Sequence, residues 1–111
     1  HAVDLLNLSV HSAEGEPIHW RYDGSQITVR WETPFTANET RQVTVNYRVE
    51  KPAAGLYFSS PDSAYPNAPT YAATDHETER ARYWLPCIDL PNVRTTLDIR
   101  LRSNAAHLLA K

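Results

Sequence analysis

A chain of 111 residues, 41% hydrophobic and 22% charged, has the balance of a soluble globular domain, and its length excludes two independent catalytic domains. At this size about two thirds of the chain's surface can be buried, so a core is possible but small. Eleven basic against thirteen acidic residues leave a net charge of -2, which offers no electrostatic footprint for nucleic acid or anionic lipid, and no apolar run approaches the length of a membrane span.

The period of the apolar residues predicts strands throughout and a useful helix nowhere. A strand is expected over Ala2 to Val10. Ile18, Trp20 and Tyr22 alternate with His19 and Arg21, and Ile27, Val29 and Trp31 repeat the pattern after Asp23-Gly24-Ser25, which is the signature of a β-hairpin around a glycine turn. Val43, Val45, Tyr47 and Val49 form a further strand with one wet face, and Gly55 to Ser59 a short one. Ser60 to Thr74, interrupted by Pro61, Pro66 and Pro69, reads as a long irregular connection packed down by Tyr65 and Tyr71. After a break at Leu85 to Pro91, Leu97, Ile99 and Leu101 predict another strand, and His107 to Ala110 the start of one more. The fold class expected is all-β, an antiparallel β-sandwich or saddle of sheets forming one partial domain over residues 1–111. A start at His1 and the lack of any methionine favour a segment of a longer polypeptide.

Few residues carry chemistry. No H-E-x-x-H pair is present, so no metal site of that type is expected in this chain. Asp75, His76, Glu77 and Glu79 crowd together, but neighbours in an extended segment point apart, and a solvated loop is the favoured reading. The lone Cys87 cannot form a disulfide within the chain, and between Pro86 and Ile88 it reads as a small core filler rather than a nucleophile. Asp89, among apolar neighbours, needs a partner, for which Arg82 or backbone N–H groups of the same turn are the candidates. Trp20, Trp31, Tyr47 and Tyr57 would suit a sugar- or base-stacking platform, yet the first three share faces with aliphatic residues and are expected in the core. Asn7-Leu8-Ser9 and Asn38-Glu39-Thr40 match the glycosylation acceptor pattern, which has meaning only in a secretory context.

From Ala81 to Leu101 the wording closely resembles the N-terminal β-domain of the aminopeptidase N family of zinc metallopeptidases. Ala81, Arg82, Pro86, Cys87, Asp89, Pro91 and Arg94 fill that family's Ala-Arg, Pro-Cys-x-Asp-x-Pro and basic positions, and Gly55-Leu56-Tyr57-Phe58 matches the step before the loop. The resemblance implies a noncatalytic domain that walls one side of the active-site cleft. Zinc and the peptidase domain would lie downstream, outside this chain, which itself carries no catalytic residue, metal ligand or cofactor. The partners implied are that catalytic domain and a peptide substrate, not nucleic acid or membrane. Compartment stays open, with a soluble, cytoplasmic setting favoured.

The family's substrate-contacting glutamine, seven residues before the arginine of the Ala-Arg pair, is replaced here by Asp75. A carboxylate still accepts hydrogen bonds from an ammonium group. Asp75, with His76 and Glu77 on the same loop, is therefore the candidate contact for a peptide's amino terminus. The departure also keeps open a peptidase-like scaffold that has lost catalysis and serves protein–protein interaction. A free-standing carbohydrate-binding sandwich is a third and weaker alternative.

Overall fold

The structure, a computed structural model, describes residues 1–104. Among the described residues six strands follow one another: β1 (Leu6–Ser12), β2 (Ile18–Tyr22), β3 (Ile27–Trp31), β4 (Val43–Arg48), β5 (Leu56–Ser59) and β6 (Tyr71–Thr74), ahead of a 3₁₀ turn at Ala81–Tyr83. The all-β class is thus established, and all pairing is antiparallel, in three two-stranded sheets of order β1-β4, β2-β3 and β5-β6. Among the described residues no helix is long and apolar enough to cross a membrane.

The β2–β3 hairpin forms where alternation predicts it, with Ile18 opposite Trp31, Trp20 opposite Val29 and Tyr22 opposite Ile27. Its turn is closed by Asp23, whose Oδ1 accepts from the backbone N–H groups of Ser25 and Gln26 at 2.8 and 2.7 Å. Those two donors stabilise the ionised carboxyl and lower its pKa. Gly24, at φ 91°, supplies the left-handed residue that the turn needs.

The core sits where the first five residues cross the hairpin. Ala2 and Asp4 donate to the carbonyls of Ser25 and Gly24 at 2.9 and 3.0 Å, and Leu5 N–H donates to the Tyr22 hydroxyl at 2.9 Å. Ala2, Leu5, Val10 and Ala81 are the buried apolar residues among those described. This crossing displaces the first strand from its expected position: residues 2–5 serve as a strap, and pairing with β4 begins only at Leu6, with an irregularity between Leu6 and Ser9.

Other expectations are corrected. Tyr71 to Thr74 is not irregular, because it pairs with β5 from Leu56↔Thr74 to Ser59↔Tyr71. Tyr65 and Tyr71 do not pack the connection: they are 72% and 54% exposed, and the bend at residues 62–65 is made instead by Asp62, whose Oδ1 accepts from Ala64 and Tyr65 N–H. Leu97, Ile99 and Leu101 lie in no strand, since no described strand pairs with them. Trp20 is not a core residue but 40% exposed, although Ile18, Val29 and Trp31 on the same face are half-buried, as is Tyr47. The strand expected at His107 to Ala110 lies outside the described residues.

The β3–β4 connection is organised by Arg41. Its side chain, only 4% exposed, donates through Nε to Glu39 Oε1 at 2.7 Å and through its Nη atoms to the Thr33 and Pro34 carbonyls at 2.6 and 2.9 Å. The guanidinium stands 4.2 Å from the Phe35 ring centre and 5.9 Å from that of Trp31, and the two rings meet edge-to-face at 5.3 Å. Glu39 Oε2 accepts from Thr36 N–H and Oγ1 at 2.7 and 3.1 Å. The Arg41 contact, more than any other, draws the Glu39 carboxyl down from 4.5 to about 2.

A depressed folded-state pKa contributes stability that is present above the unfolded value and lost as pH falls through the folded one. The stability difference between the wild-type protein and Glu39→Gln, measured by urea unfolding, is therefore expected to be full at pH 6, to shrink below 4.5 and to vanish near pH 2. A difference constant over that range would show that the charge of Glu39 contributes nothing.

Candidate functional site

The segment from Asp75 to Pro91 is folded over Gly55. Asp75 N–H donates to the Gly55 carbonyl at 3.1 Å, which extends the β5–β6 pairing by one link. Gly55 has φ 83°, and a Cβ there would lie 2.1 Å from the Arg80 carbonyl oxygen and 3.1 Å from Trp84 Cδ1. Only glycine lets the loop and the Trp84 ring come down on this point.

Within the loop, Asp75 Oδ1 accepts from Glu77 N–H at 3.2 Å and Oδ2 from Arg80 Nη1 at 3.1 Å. The pair is exposed, at 57% for Asp75 and 43% for Arg80. His76 is turned the other way: Trp84 Nε1–H donates to its Nε2 at 2.9 Å, and the rings lie 5.6 Å apart. Because Nε2 accepts, the proton of the neutral ring sits on Nδ1. Glu77 is exposed, and its side chain is tied to nothing among the described residues. The three loop residues therefore separate, with Asp75 and Glu77 toward solvent and His76 toward the tryptophan.

Behind the loop lies the Ala-Arg and Pro-Cys-x-Asp-x-Pro segment. Asp89 Oδ2 accepts from both Arg82 N–H and Arg82 Nε, at 3.1 and 3.0 Å, so it takes both of the partner types that its surroundings call for. Arg82 Nη2 also reaches Glu79 Oε2 and the Asp89 carbonyl, each at 2.8 Å. Hydrogen bonding to Asp89 leads the effects that raise the Arg82 pKa. Val3 N–H donates to the Arg82 carbonyl and Cys87 N–H to the His1 carbonyl, which ties the N-terminal strap to the same turn. Pro86 and Cys87 are half-buried and Pro91 is exposed. Burial, and after it the Asp89 carboxylate, pushes the Cys87 thiol up, away from a reactive thiolate.

Among the described residues no group of three or more histidine, cysteine or acidic side chains is placed to hold a metal ion. What the loop presents is one well-positioned, solvent-facing carboxylate, an acceptor for a cationic group. Sequence reasoning missed two of its supports. Trp84 as the partner of His76 and Arg80 as the partner of Asp75 follow no spacing rule and depend on the close approach at Gly55.

These features define an all-β domain that positions an acidic loop over Gly55. The chain matches the Peptidase M1 N-terminal domain over residues 3–110 and belongs to that family. It is similar to the leucine aminopeptidase 2 of Aspergillus fumigatus, 24% identical over 109 residues that cover 91% of this chain and 18% of the fungal protein. The chain thus spans less than a fifth of that relative's length. No solved structure gives a significant match.

Gly55→Ala is expected to destabilise the protein by at least about 2 kcal/mol, combining a strained positive φ with a collision against backbone that cannot yield. The measurement is the urea midpoint together with the emission of Trp84 in a Trp20→Phe/Trp31→Phe background. An unchanged midpoint and spectrum would show that the loop does not rest on Gly55.

Proposed function

We propose that this domain is the noncatalytic N-terminal part of a zinc-dependent aminopeptidase, where it forms one wall of the active-site cleft and Asp75 helps to hold the peptide's free amino group. Membership of the M1 N-terminal family supports the setting, and the name of the fungal relative supports the activity. The observation that carries the role of Asp75 is its geometry: an exposed carboxylate, at the position where the resembling family has glutamine, held by Glu77 N–H and Arg80 on a loop anchored at Gly55.

The division of labour follows from the residues. Asp75 accepts hydrogen bonds from the ammonium of the substrate, His76 positions the loop through Trp84, and Glu77 adds negative charge to the rim. In this reading another part of the polypeptide supplies the metal and the hydrolytic step.

A second reading is favoured by one specific observation. Both Asp75 oxygens already have partners within the loop, as they would in a scaffold whose function is no longer peptide capture. Zinc content and hydrolysis of aminoacyl-anilides by the full-length protein separate the two. About one zinc per chain with activity is expected, and Asp75→Ala should then lower kcat/KM roughly 10- to 100-fold, the range for loss of a charge-assisted hydrogen bond. Unchanged kinetics in that variant would remove Asp75 from the site, and a metal-free, inactive parent would establish the scaffold.

A further inference from the structure

We propose that the His76–Trp84 contact is a pH-sensitive latch, which holds the Asp75 loop over Gly55 while His76 is neutral and releases it when His76 is protonated. An indole N–H can only donate, so the 2.9 Å contact from Trp84 Nε1 to His76 Nε2 requires a lone pair on that nitrogen. Protonation replaces the lone pair with a second N–H, and two donors then face each other. Histidine side chains take up this proton between about pH 8 and pH 5.

The contact is placed to hold the loop. His76 is half-buried, while Asp75, Glu77, Thr78 and Glu79 around it are exposed, so it is the side chain by which the loop is attached. Its ring lies 5.6 Å from that of Trp84, and a Cβ on Gly55 would lie 3.1 Å from Trp84 Cδ1. One residue earlier, Asp75 N–H donates to the Gly55 carbonyl at 3.1 Å. A backbone link and a ring contact thus fix the loop at adjacent residues, and only the ring contact titrates.

The imidazolium gains no bond in exchange. Nδ1 carries a proton in both states and has no partner among the described residues. The loop's carboxylates are engaged or face water: Asp75 is held by Glu77 N–H and Arg80, Glu79 by Arg82, and Glu77 is exposed. The turn behind the ring brings Arg80, Arg82 and Tyr83, two guanidiniums that oppose a further positive charge and a phenol, a group that stays neutral in this interval. Gly55 brings no ionisable side chain. Neutral pH therefore favours the closed loop and acid the released one. The effect on peptide capture rests on the reading of Asp75 as the contact for the amino group.

The test uses the full-length protein labelled with fluorotryptophan and with nitrogen-labelled histidine. The Trp84 fluorine resonance is assigned by its loss in Trp84→Phe, and the His76 ring by its loss in His76→Gln. At pH 8 the His76 proton is expected on Nδ1. As pH falls to 5 the Trp84 resonance should shift in one step with the His76 ring, and hydrogen-exchange protection over residues 75–79, corrected for intrinsic rates, should drop roughly 3- to 10-fold. His76→Gln keeps an acceptor that does not titrate and should abolish both changes. Should that variant misfold, Trp84→Phe keeps an aromatic ring but removes the donor, and the pH dependence of loop protection should disappear. A proton on Nε2 at pH 8, a Trp84 resonance or a loop protection indifferent to pH, or steps that persist in His76→Gln would overturn the latch. In kinetics, kcat/KM of the wild type relative to His76→Gln should fall roughly 3- to 10-fold from pH 8 to pH 5, carried by KM. If Asp75→Ala leaves kinetics unchanged, the reading of Asp75 fails and the latch is decided by the spectra. If Asp75→Ala lowers kcat/KM but that ratio is the same at both pH values, the latch does not govern capture and the proposal falls.

Discussion

Arg82 holds three parts of the chain at one place, and the position of the candidate loop depends on it. Its guanidinium and backbone N–H grip Asp89, its second Nη contact reaches Glu79 beside the loop, and its carbonyl receives Val3 N–H from the strap that crosses the hairpin. The side chains are well covered, 19% exposed for Arg82 and 12% for Asp89, so water competes poorly for these bonds. Removing one partner would leave a largely desolvated charge without compensation, which costs far more than an exposed pair contributes. Glycine at position 55 and arginine at 82 thus act together: one makes room for the loop, the other ties down the segment on its C-terminal side.

The rest of the molecule is less thoroughly closed. Three two-stranded sheets bury only a handful of side chains, while Phe58, Ile88, Leu97 and Ile99 remain 54% to 68% exposed. Each such side chain, once covered, would contribute roughly 1.5–3 kcal/mol. Local polar devices compensate in part. Asp23 and Asp62 close their turns through backbone N–H groups, and Arg41 assembles the β3–β4 connection from two carbonyls, one carboxylate and two aromatic rings. A domain stabilised in this manner keeps its loops in place with little core, and its exposed apolar faces are surfaces that association would cover.

What was legible in the sequence was local. Alternation placed β2, β3 and β4, and Asp-Gly-Ser placed the hairpin turn, because those signals act over a few residues. The need of Asp89 for Arg82 was also legible, since a carboxylate among apolar neighbours has few other ways to be satisfied. What was not legible depended on contacts far apart in the chain. Residues 2–5 have the alternation of a strand but are taken by the Ser25 and Gly24 carbonyls and by Arg82, and Leu97 to Leu101 has the alternation but no described strand beside it. Burial of Trp20 failed for a related reason: period identifies which face a residue occupies, not how far each position on that face is covered. The Arg41 cluster was overlooked because its parts, Thr33 to Arg41, have no period at all.

The strength of the Asp75–Arg80 pair decides how the loop can meet a cation. Both side chains are largely in water, and exposed pairs of this kind are worth about 0–1 kcal/mol, whereas a hydrogen bond to a desolvated charged group contributes about 1.5–3 kcal/mol. An ammonium brought to Asp75 within a closed cleft would therefore outcompete Arg80, or share the carboxylate with it through the lone pairs left free on each oxygen. Glu77 N–H keeps the carboxylate oriented in either case, being a backbone donor that moves only with the loop. The internal ion pair thus leaves peptide capture possible while lowering the charge that Asp75 presents at long range. Contact at this position would be selected by close fit rather than by electrostatic attraction from solution.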